Sequence, residues 1–515
     1  MTRKKILWVD DEIDSLKSHI LFLGQKGFEV VESMSGDDAV EKVKNEQFDM
    51  VLLDEMMPGK DGLATLDEIK DINPHLPVVM VTKSEEETLM EDAIGQKIDD
   101  YLVKPVNPSQ ILMVAKRLLD AGKIVSESHM KHYISDINRF NQKLYGALEP
   151  EDWLEAAHLI SRWDLELDNS PDEGLKQTHD GTRKEWNTEF TKYLEKNYRG
   201  WLFSDDHPTL SPDVLKKYMI PLIKEGRKVL LVVVDCMRLD QWLTVESLLA
   251  EYYNINRDLY YALLPSATPF ARNALFAGEF PDVVADRYPE VWKEGEEGSL
   301  NSNEDQLLSD FLAREGVRPG GQVRYEKIFD NTEGEALAKR IADFYQSPVV
   351  AFVFNFLDIL AHGRSNNVIL KEIAGSESAF RSLMKSWFIH SPLFAILKSF
   401  ARKDFTVIVT SDHGSVLCSH GTMAHGKRDT STNLRYKYGD NLKCDTKDAW
   451  LIKKPKEYRL PVFTLATTYI IAKQDFYFVY PNRYNEYIRQ FQNSFQHGGI
   501  SLEEMVVPIS VLTPK

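Results

Sequence analysis

The chain of 515 residues has few cysteines, no long apolar run and no excess of basic side chains. Three cysteines are too few for a disulfide scaffold and favour a reducing compartment. A membrane span needs a run of about 18 apolar residues, and the sequence has none. Asp10 and Asp11 cut the apolar start too short for a signal peptide. We therefore expect a soluble, cytoplasmic protein without a membrane span.

The charge balance also excludes a class of function. There are 62 Lys and Arg against 79 Asp and Glu, a net charge of −17. Duplex DNA demands clustered cations, so we expect no duplex-DNA-binding module. Residues 1–120 alone hold 14 basic and 25 acidic residues. With 43% hydrophobic and 27% charged residues, the composition is that of a globular protein and excludes disorder as the main state.

Length predicts about three domains, and the patterns divide the chain at two places. Residues 1–120 alternate apolar strands with helices, as in KKILWVDD, FDMVLLDEMMPGKDG, LPVVMVTKS and DDYLVKPV. Residues 121–205 lack strand runs and carry Trp, Leu, Glu and Lys at helical spacing, which predicts a helical bundle or linker. A helix-turn-helix module is the alternative, but no basic recognition helix is present. Residues 206–515 return to strands, such as RKVLLVVVD and KDFTVIVTSDHG, and predict one large α/β domain.

Polar residues of the first region follow its predicted strands. Asp10 and Asp11 end the first strand, Asp54 the third, Thr82 the fourth and Lys104 the fifth. These ends meet at one edge of a parallel sheet, where ligands bind. Three carboxylates there suit Mg²⁺, and a carboxylate beside it can attack a phosphoryl group. The lysine and the threonine hydroxyl can hold the new phosphate.

The motifs DD, LLDEMMPGKDG, VT and YLVKP together resemble response-regulator receiver domains. The resemblance implies a flavodoxin-like (βα)5 fold and phosphorylation of Asp54 by a partner sensor histidine kinase. It also implies that Asp10 and Asp11 hold Mg²⁺ with Asp54 and the Met56 carbonyl. Tyr101 is placed to move in or out with the threonine of the VT motif. In this family the responding face usually controls homodimer formation.

The large C-terminal region carries a set of Asp, His and Thr residues near strand ends and in glycine loops. The set comprises Asp235, Thr268, Asp358, His362, Asp412, His413 and His497. Asp and His without a Cys pair suit Zn²⁺ or Mn²⁺. Thiolate ligation by Cys236 or Cys418 is an alternative, because both lie near proposed ligands.

The same set suits phosphoryl transfer. Two metal ions about 4 Å apart can clamp the attacking and leaving oxygens. A threonine hydroxyl becomes a useful nucleophile only when its pKa is lowered. Thr268 precedes Pro269 and a helix-like stretch, whose N-terminus would add backbone donors for phosphate. Arg272 or Asn273, one turn later, can steady a phosphate oxygen.

The motifs VVVDCMRLDQW, PSATPFARNALFAG, SDHG and HGGISLEEMVVP, in that order, resemble the PglZ branch of the alkaline phosphatase superfamily. The resemblance implies an α/β/α fold, two zinc ions and cleavage of phosphodiesters. It implies the following roles: one zinc ion is held by Asp358, His362 and His497, the other by Asp235, Asp412 and His413, and Thr268 is both nucleophile and ligand.

The segment CSHGTMAHGKRD follows the DHG motif and holds further candidates. His420, His425, Lys427 and Arg428 are either a clamp for substrate phosphate, an accessory metal site or a solvated loop. The residues do not decide between these interpretations.

The layout as a whole is similar to response regulators linked to the type IX secretion system. It implies a partner kinase, dimerisation on phosphorylation and contact with a sigma factor. Our first hypothesis is a phosphorylation-controlled zinc phosphodiesterase acting on oligonucleotides or cyclic nucleotides. The second is a switched scaffold that binds a transcription factor and has structural metals. The third, phosphomonoesterase or mutase activity, uses the same ligands.

Overall fold

The computed structural model describes residues 3–83, 98–289, 303–317, 320–366, 372–373, 375–426, 433–480 and 484–515, with no side chains described for 120–129 and 363–366. The chain forms two compact units, Met1–Ser135 and Asp136–Lys515. Over the residues so described, no helix is long and apolar enough to cross a membrane.

The N-terminal unit is a parallel sheet with helices on both faces. Its five strands have the order β2-β1-β3-β4-β5, and all their pairings are parallel. This is the flavodoxin-like order, so the predicted fold class is confirmed for this region. The strands are β1 Lys4–Val9, β2 Phe28–Ser33, β3 Met50–Asp54, β4 Val78–Thr82 and β5 Asp100–Val103. The helices of this part of the chain are Lys17–Gln25, Gly36–Asn45, Gly62–Ile72 and Pro108–Leu144.

Successive side chains of β1 pack on opposite faces of the sheet, and both faces are buried. Leu7 and Val9 belong to one buried cluster, and Ile6 and Trp8 belong to the other. Because neighbouring side chains of a strand point to opposite faces, this strand needs apolar residues throughout. Gly62 begins a helix so close to β3 that an added Cβ would lie 2.4 Å from the Asp54 carbonyl oxygen.

The second unit begins with long helices, as predicted for the middle region. The helices Pro150–Asp168 and Glu173–Trp201 follow the helix that ends at Leu144. Trp153 and Trp186 are fully buried, and Trp186 Nε1 donates to Asn141 Oδ1 at 2.9 Å. Aromatic packing therefore holds these helices together.

The rest of the unit is built on a six-stranded sheet of order β7-β19-β10-β6-β9-β8. The four strands β10, β6, β9 and β8 pair in parallel. Strand β19 pairs antiparallel with β10, and β7 pairs antiparallel with β19. Their bounds are β6 Lys228–Val234, β7 Tyr253–Tyr261, β8 Val323–Ile328, β9 Val349–Phe354, β10 Phe405–Thr410 and β19 Val506–Pro514. The buried runs of β6, β9 and β10 form the main core.

Helices and small sheets surround this sheet, which confirms the predicted α/β class. The helices are Ile220–Lys224, Leu239–Leu249, Thr268–Ala277, Pro281–Arg287, Glu304–Arg314, Asn331–Lys339, Phe356–Asn366, Glu377–His390, Pro392–Ala401, Tyr484–Phe491 and Leu502–Met505. The small strands are β11 Val416–Cys418, β12 His420–His425, β13 Tyr436–Asp440, β14 Lys443–Cys444, β15 Ala449–Ile452, β16 Thr467–Ala472, β17 Phe476–Val479 and β18 Ser494–Gln496.

Candidate metal centres

The first candidate site lies at the carboxyl ends of the strands of the N-terminal unit. Asp10 follows β1, Asp54 ends β3 and Lys104 follows β5. Ligand oxygens of Asp10, Asp11 and Asp54 lie within 4.8 Å of one another. Lys104 Nζ donates to Asp10 Oδ2 at 2.9 Å and to Asp54 Oδ2 at 2.8 Å. The fold thus places three carboxylates beside one ammonium group.

Burial and charge set the electrostatics of this site. Asp10 and Asp54 are buried, whereas Asp11 is half-buried. Burial raises the pKa of Asp54, and Lys104 offsets that rise only in part. Burial alone would lower the pKa of Lys104, but its hydrogen bonds to both aspartates raise it overall. Three carboxylates, one of them reached by solvent, fit Mg²⁺, which takes oxygen ligands and keeps several waters.

The other residues predicted for this site lie on β4 and β5 or just after β3. Thr82 is the last residue of β4 and is buried. Tyr101 belongs to β5 and its side chain is exposed, as is that of Met56. The switch roles of Thr82 and Tyr101, and the Met56 carbonyl as a metal ligand, stay predictions.

The second unit holds two further groups of metal-ligating side chains. We call Asp358, His362 and His497 the outer cluster. The Nε2 atoms of His362 and His497 lie 2.9 Å apart, and Asp358 Oδ1 lies 3.3 Å from the first and 3.2 Å from the second. Tetrahedral zinc ligands at about 2.0–2.1 Å from the ion lie about 3.3 Å from one another. The three atoms therefore converge as zinc ligands do.

The helix Phe356–Asn366 explains part of this convergence. Asp358 and His362 are four residues apart on it, so they share one face. His497 comes from the loop after β18. The side chain of His362 is 46% exposed, so the outer cluster is open to solvent on that side.

We call Asp235, Asp412 and His413 the inner cluster. Asp235 follows β6, and the other two follow β10. His413 Nε2 lies 3.7 Å from Asp235 Oδ1 and 3.5 Å from Asp412 Oδ2. His413 Nδ1 lies 3.0 Å from the Gly414 carbonyl oxygen, and donation to that oxygen turns the Nε2 lone pair toward the carboxylates. All three side chains are buried.

The two clusters are neighbours, and Thr268 lies beside the inner one. The rings of His413 and His497 stack with centroids 4.4 Å apart. Thr268 begins the helix Thr268–Ala277, and its Oγ1 lies 3.1 Å from His413 Nε2. A hydroxyl thus lies at the inner cluster, but the backbone N–H groups of Phe270 and Ala271 already donate to the Ala267 carbonyl oxygen.

Unsatisfied atoms show that these clusters fit metal ions. Within the described ranges, no hydrogen-bond partner reaches Asp235 Oδ1 or Asp412 Oδ2, although both atoms are buried. Burial raises the pKa of Asp235 to about 7 despite the charge of Arg272. Burial and the charge of His497 lower the pKa of His413 to about 3, which leaves a neutral imidazole, the form that binds metals. Carboxylates with the neutral imidazole of His413, and without a disulfide or thiolate, suit Zn²⁺.

The loop geometry that carries the inner cluster is strained and tightly packed. Cys236 adopts a left-handed φ of 65°, and its backbone N–H donates to Asp412 Oδ1 at 3.3 Å. A Cβ added at Gly414 would lie 1.9 Å from the Glu503 carbonyl oxygen. The glycine of the DHG motif is therefore required by close backbone approach.

Arg272 lies behind the inner cluster and is buried. Its Nη1 lies 2.7 Å from Asp235 Oδ2, and its Nε lies 2.7 Å from Glu304 Oε1. Glu304 also accepts from Tyr325 Oη at 2.8 Å. The guanidinium thus partners a ligand carboxylate. Its predicted contact with substrate phosphate stays a prediction.

The remaining candidates lie outside the two clusters. Asn273 Nδ2 donates to the Pro269 carbonyl oxygen at 2.9 Å within its own helix. His420 Nδ1 lies 2.9 Å from Asp475 Oδ2, and His425 is exposed at the end of β12. The predicted contact of these three side chains with substrate stays a prediction. Lys427 and Arg428 lie outside the described residues.

The cysteine alternative receives no geometric support. Within the described residues, neither Cys236 nor Cys418 belongs to a group of ligands. Burial raises the pKa of Cys236 well above its usual range and that of Cys418 to about 12, so both thiols stay protonated.

Sequence reasoning missed the charged side chains that support the ligands. Arg238 and Glu504 are both buried, and Glu504 Oε1 accepts from the Gly499 backbone N–H at 2.8 Å, two residues after His497. Both lie inside motifs already singled out, VVVDCMRLDQW and HGGISLEEMVVP, which is the signal that could have found them. Glu304 lies in no such motif.

Comparison with known proteins assigns three regions. Residues 6–116 match the response regulator receiver domain, residues 123–202 the PorX response regulator linker domain, and residues 214–512 the BREX system PglZ alkaline phosphatase-like domain. The N-terminal region is thus a response regulator receiver domain. The three matches in this order support a PorX-like response regulator.

Curated relatives resemble the receiver region. The transcriptional regulatory protein ResD of Bacillus subtilis (strain 168) is 34% identical over 115 residues, which are 22% of this chain and 48% of ResD. PhoP, the alkaline phosphatase synthesis transcriptional regulatory protein of the same organism, is 30% identical over 128 residues, 24% of this chain and 52% of PhoP. The chain spans about half the length of these relatives.

Solved structures also match over the receiver. A CheY-like receiver domain protein from Methanospirillum hungatei JF-1 is 30% identical, with 23% of this chain and 96% of that chain covered and a TM-score of 0.23. The receiver domain of NtrX from Brucella abortus is 34% identical, with 22% and 98% covered and a TM-score of 0.22. The PglZ match spans more than half of the chain, and the chain therefore belongs to the PglZ family of alkaline phosphatase-like domains.

Proposed function

We propose that this chain is a response regulator that controls a two-zinc phosphodiesterase. Asp54 takes a phosphoryl group from a sensor histidine kinase, and the PglZ domain cleaves phosphodiesters with Thr268 as nucleophile. The observation that carries the proposal is the adjacency of the two clusters. The His413 and His497 rings stack at 4.4 Å, and Thr268 Oγ1 lies 3.1 Å from His413 Nε2.

The residues of the PglZ domain divide the reaction between them. Zinc ions held by the outer and inner clusters would supply Lewis acidity and lower the pKa of a nearby hydroxyl. The helix N-terminus positions Thr268 Oγ1 for attack on phosphorus, 3.1 Å from His413 Nε2. Thr268 Oγ1 loses its proton to solvent and bonds to phosphorus, one ester bond breaks, and the departing oxygen takes a proton from solvent. Water then attacks phosphorus, the bond to Thr268 Oγ1 breaks, Oγ1 takes up a proton given up by that water, and a phosphomonoester is released.

Solvent access suggests how the substrate enters. The inner cluster is buried, whereas His362 of the outer cluster is 46% exposed. A diester therefore approaches from the outer cluster, and the departing group leaves on the same side. We propose nucleotidic substrates, such as short or cyclic oligonucleotides, on the basis of the PglZ resemblance.

In the receiver, Lys104 bridges the two buried aspartates and stands where a phosphoryl group on Asp54 needs a cation. Mg²⁺ held by Asp10, Asp11 and Asp54 would neutralise the attacking carboxylate and the incoming phosphate. The added negative charge then biases a packed face of the domain. We propose that this change favours a homodimer in the cytoplasm, contact with a sigma factor and regulation of type IX secretion.

Hydrolysis of bis-p-nitrophenyl phosphate by the zinc-loaded full chain tests the catalytic part. Wild type, Thr268→Ala and chelator-treated protein are compared, each with and without beryllofluoride as an acyl-phosphate mimic. We expect activity only in the zinc-loaded wild type and a change with beryllofluoride. The matching monoester substrate, assayed in parallel, separates a diesterase from a phosphomonoesterase. Two bound zinc ions without hydrolysis in any state would contradict the enzyme and favour the scaffold hypothesis.

A further inference from the structure

We propose that a network of buried and partly buried charged side chains lets the middle helices set the metal affinity of the inner cluster. We call it the Glu377 network, and its members are Asp164, Arg183, Arg238, Asp240, Glu377 and Arg381. The inference deepens the proposed function and rests on it only in that the inner cluster must bind a metal ion. It makes Arg238 and Glu377 positioning residues, which act through the ligand-bearing turns.

The two turns that carry the inner cluster are joined to each other. The Cys236 backbone N–H donates to Asp412 Oδ1, as already noted. The Met237 backbone N–H donates to Ser411 Oγ at 2.9 Å, and Ser411 Oγ donates to the His413 carbonyl oxygen at 2.7 Å. The turn after β6 and the turn after β10 therefore move as one body.

Arg238 connects this body to the helix Glu377–His390. Its Nη1 contacts the Ser415 carbonyl oxygen at 3.5 Å and Glu377 Oε1 at 2.7 Å. Its Nε and Nη2 donate to the two carboxylate oxygens of Asp240 at 2.8 and 2.9 Å. Arg238 is 2% exposed, so its orientation depends on these partners.

Two branches lead from there to the middle helices. In one, the second oxygen of Glu377 contacts Arg183, which in turn contacts Asp164. In the other, Asp240 accepts from Arg381 Nη1 at 2.7 Å. Arg381 Nε then donates at 2.9 Å to Asp168, the last residue of the helix Pro150–Asp168. Asp164 lies on that same helix and Arg183 on the helix Glu173–Trp201.

Four members of the network are buried, and the side chains of Arg183 and Glu377 are only 13% and 16% exposed, so water screens their charges weakly. Charges out of water interact strongly, and removing one partner leaves the other uncompensated. Without Glu377, Arg183 and Arg238 would face each other with no carboxylate between them. Arg238 would then shift, and the joined turns would shift with it. Residues that orient metal ligands typically change metal affinity by about 10- to 100-fold when they are replaced.

The experiment measures zinc affinity of the full chain by competition with a chromogenic chelator. His362→Ala removes an outer-cluster ligand and isolates the inner cluster. In that background we expect Glu377→Ala to weaken zinc binding by about tenfold or more. Arg183→Ala should weaken it in the same direction, and the double variant should be little weaker than the worse single variant, since both changes break one path.

Two variants of Glu377 and one control separate a loss of metal affinity from a loss of folding. Glu377 and Arg183 line a cavity of about 610 Å³, so truncation adds to an existing space instead of opening a sealed core. Glu377→Gln keeps the shape and removes the charge, and it serves as the second variant. The control is Glu189→Ala, which breaks an exposed ion pair with Lys192 on the same helix as Arg183 and should leave zinc affinity unchanged.

A network that only holds the helices together predicts a different result. The thermal unfolding temperature of Glu377→Ala and Glu377→Gln would fall while zinc affinity stayed at the value of the His362→Ala parent, and the proposal would be overturned. A wild type that binds two zinc ions without hydrolysing diesters would contradict the proposed enzyme and leave this inference intact. A wild type without zinc affinity would overturn both.

Discussion

The receiver site and the PglZ centre share an architecture but balance their charge differently. In both, acids follow neighbouring strands of a parallel sheet, so their carboxylates converge at one edge. In the receiver the balancing cation is Lys104, in direct contact with Asp10 and Asp54. At the PglZ centre it is Arg272, which lies behind Asp235 with Glu304 on its other side.

Solvent access also differs between the receiver site and the inner cluster of the PglZ centre. Asp11 of the receiver is half-buried, whereas Asp412 and His413 are 0% exposed. Oxygen ligands with a solvent path suit a hydrated Mg²⁺ and a phosphoryl group that exchange. Buried carboxylates with imidazoles suit a zinc ion that stays. The difference teaches that similar strand ends can serve transient signalling in one domain and a resident metal centre in the other.

The largest effect expected is the loss of receiver phosphorylation in Asp54→Asn. The amide cannot form an acyl phosphate, so no phosphoryl group should be gained from acetyl phosphate and Mg²⁺. Intact-mass spectrometry measures this gain. Zinc content should stay equal to that of wild type, because the PglZ ligands are untouched. Asp37→Asn, at an exposed aspartate of the same domain, is the control, and a phosphorylated Asp54→Asn would move the acceptor to another residue.

In the PglZ domain, Thr268→Ala should lower kcat for a nitrophenyl diester by about 1,000-fold or more, since it removes the proposed nucleophile. Zinc content should remain near that of wild type, because Asp235, Asp412 and His413 are kept. Thr268→Ser retains a hydroxyl and should keep much of the activity. Equal rates for the alanine variant and wild type would show that water attacks directly.

Arg272→Ala tests whether this arginine balances the buried carboxylates of the PglZ centre, as Lys104 does in the receiver. It leaves Asp235 buried without its arginine partner, whereas Glu304 keeps Lys327 at 3.1 Å, so we expect a loss of about 3 kcal/mol in the free energy of unfolding. Urea denaturation of the zinc-free protein measures it. Arg287→Ala, which removes an exposed arginine paired with Glu279, should change little. A similar small loss for Arg272→Ala would mean that the carboxylates simply take up protons.

The sequence predicted the strand-end acids well, because each is signalled locally. Asp235 directly follows the apolar run VLLVVV, and Asp54 ends VLLD. The fold class followed from the same runs. The partners of Arg272 could not be predicted, because one turn of helix places it near Thr268 but only tertiary packing brings Glu304 against it. The pairing of Arg238 with Glu377 has the same cause: no periodicity shows which distant charges are buried together.

The smallest effect expected is a pH dependence of zinc binding. Burial raises the pKa of Asp235 to about 7 in the zinc-free protein, so below that pH a proton competes with zinc for the carboxylate. Zinc affinity of the inner cluster should therefore rise with pH, by up to about tenfold per unit for each proton displaced, and level off above pH 7. Chelator competition at pH 5.5, 6.5 and 7.5 in the His362→Ala background measures this change in affinity.

Since neutral His413 already presents its lone pair, with a pKa near 3, it adds nothing to the pH dependence of zinc affinity in this range. An affinity that does not change between pH 5.5 and 7.5 would show that Asp235 is already ionised, and that Arg272 outweighs burial at the inner cluster.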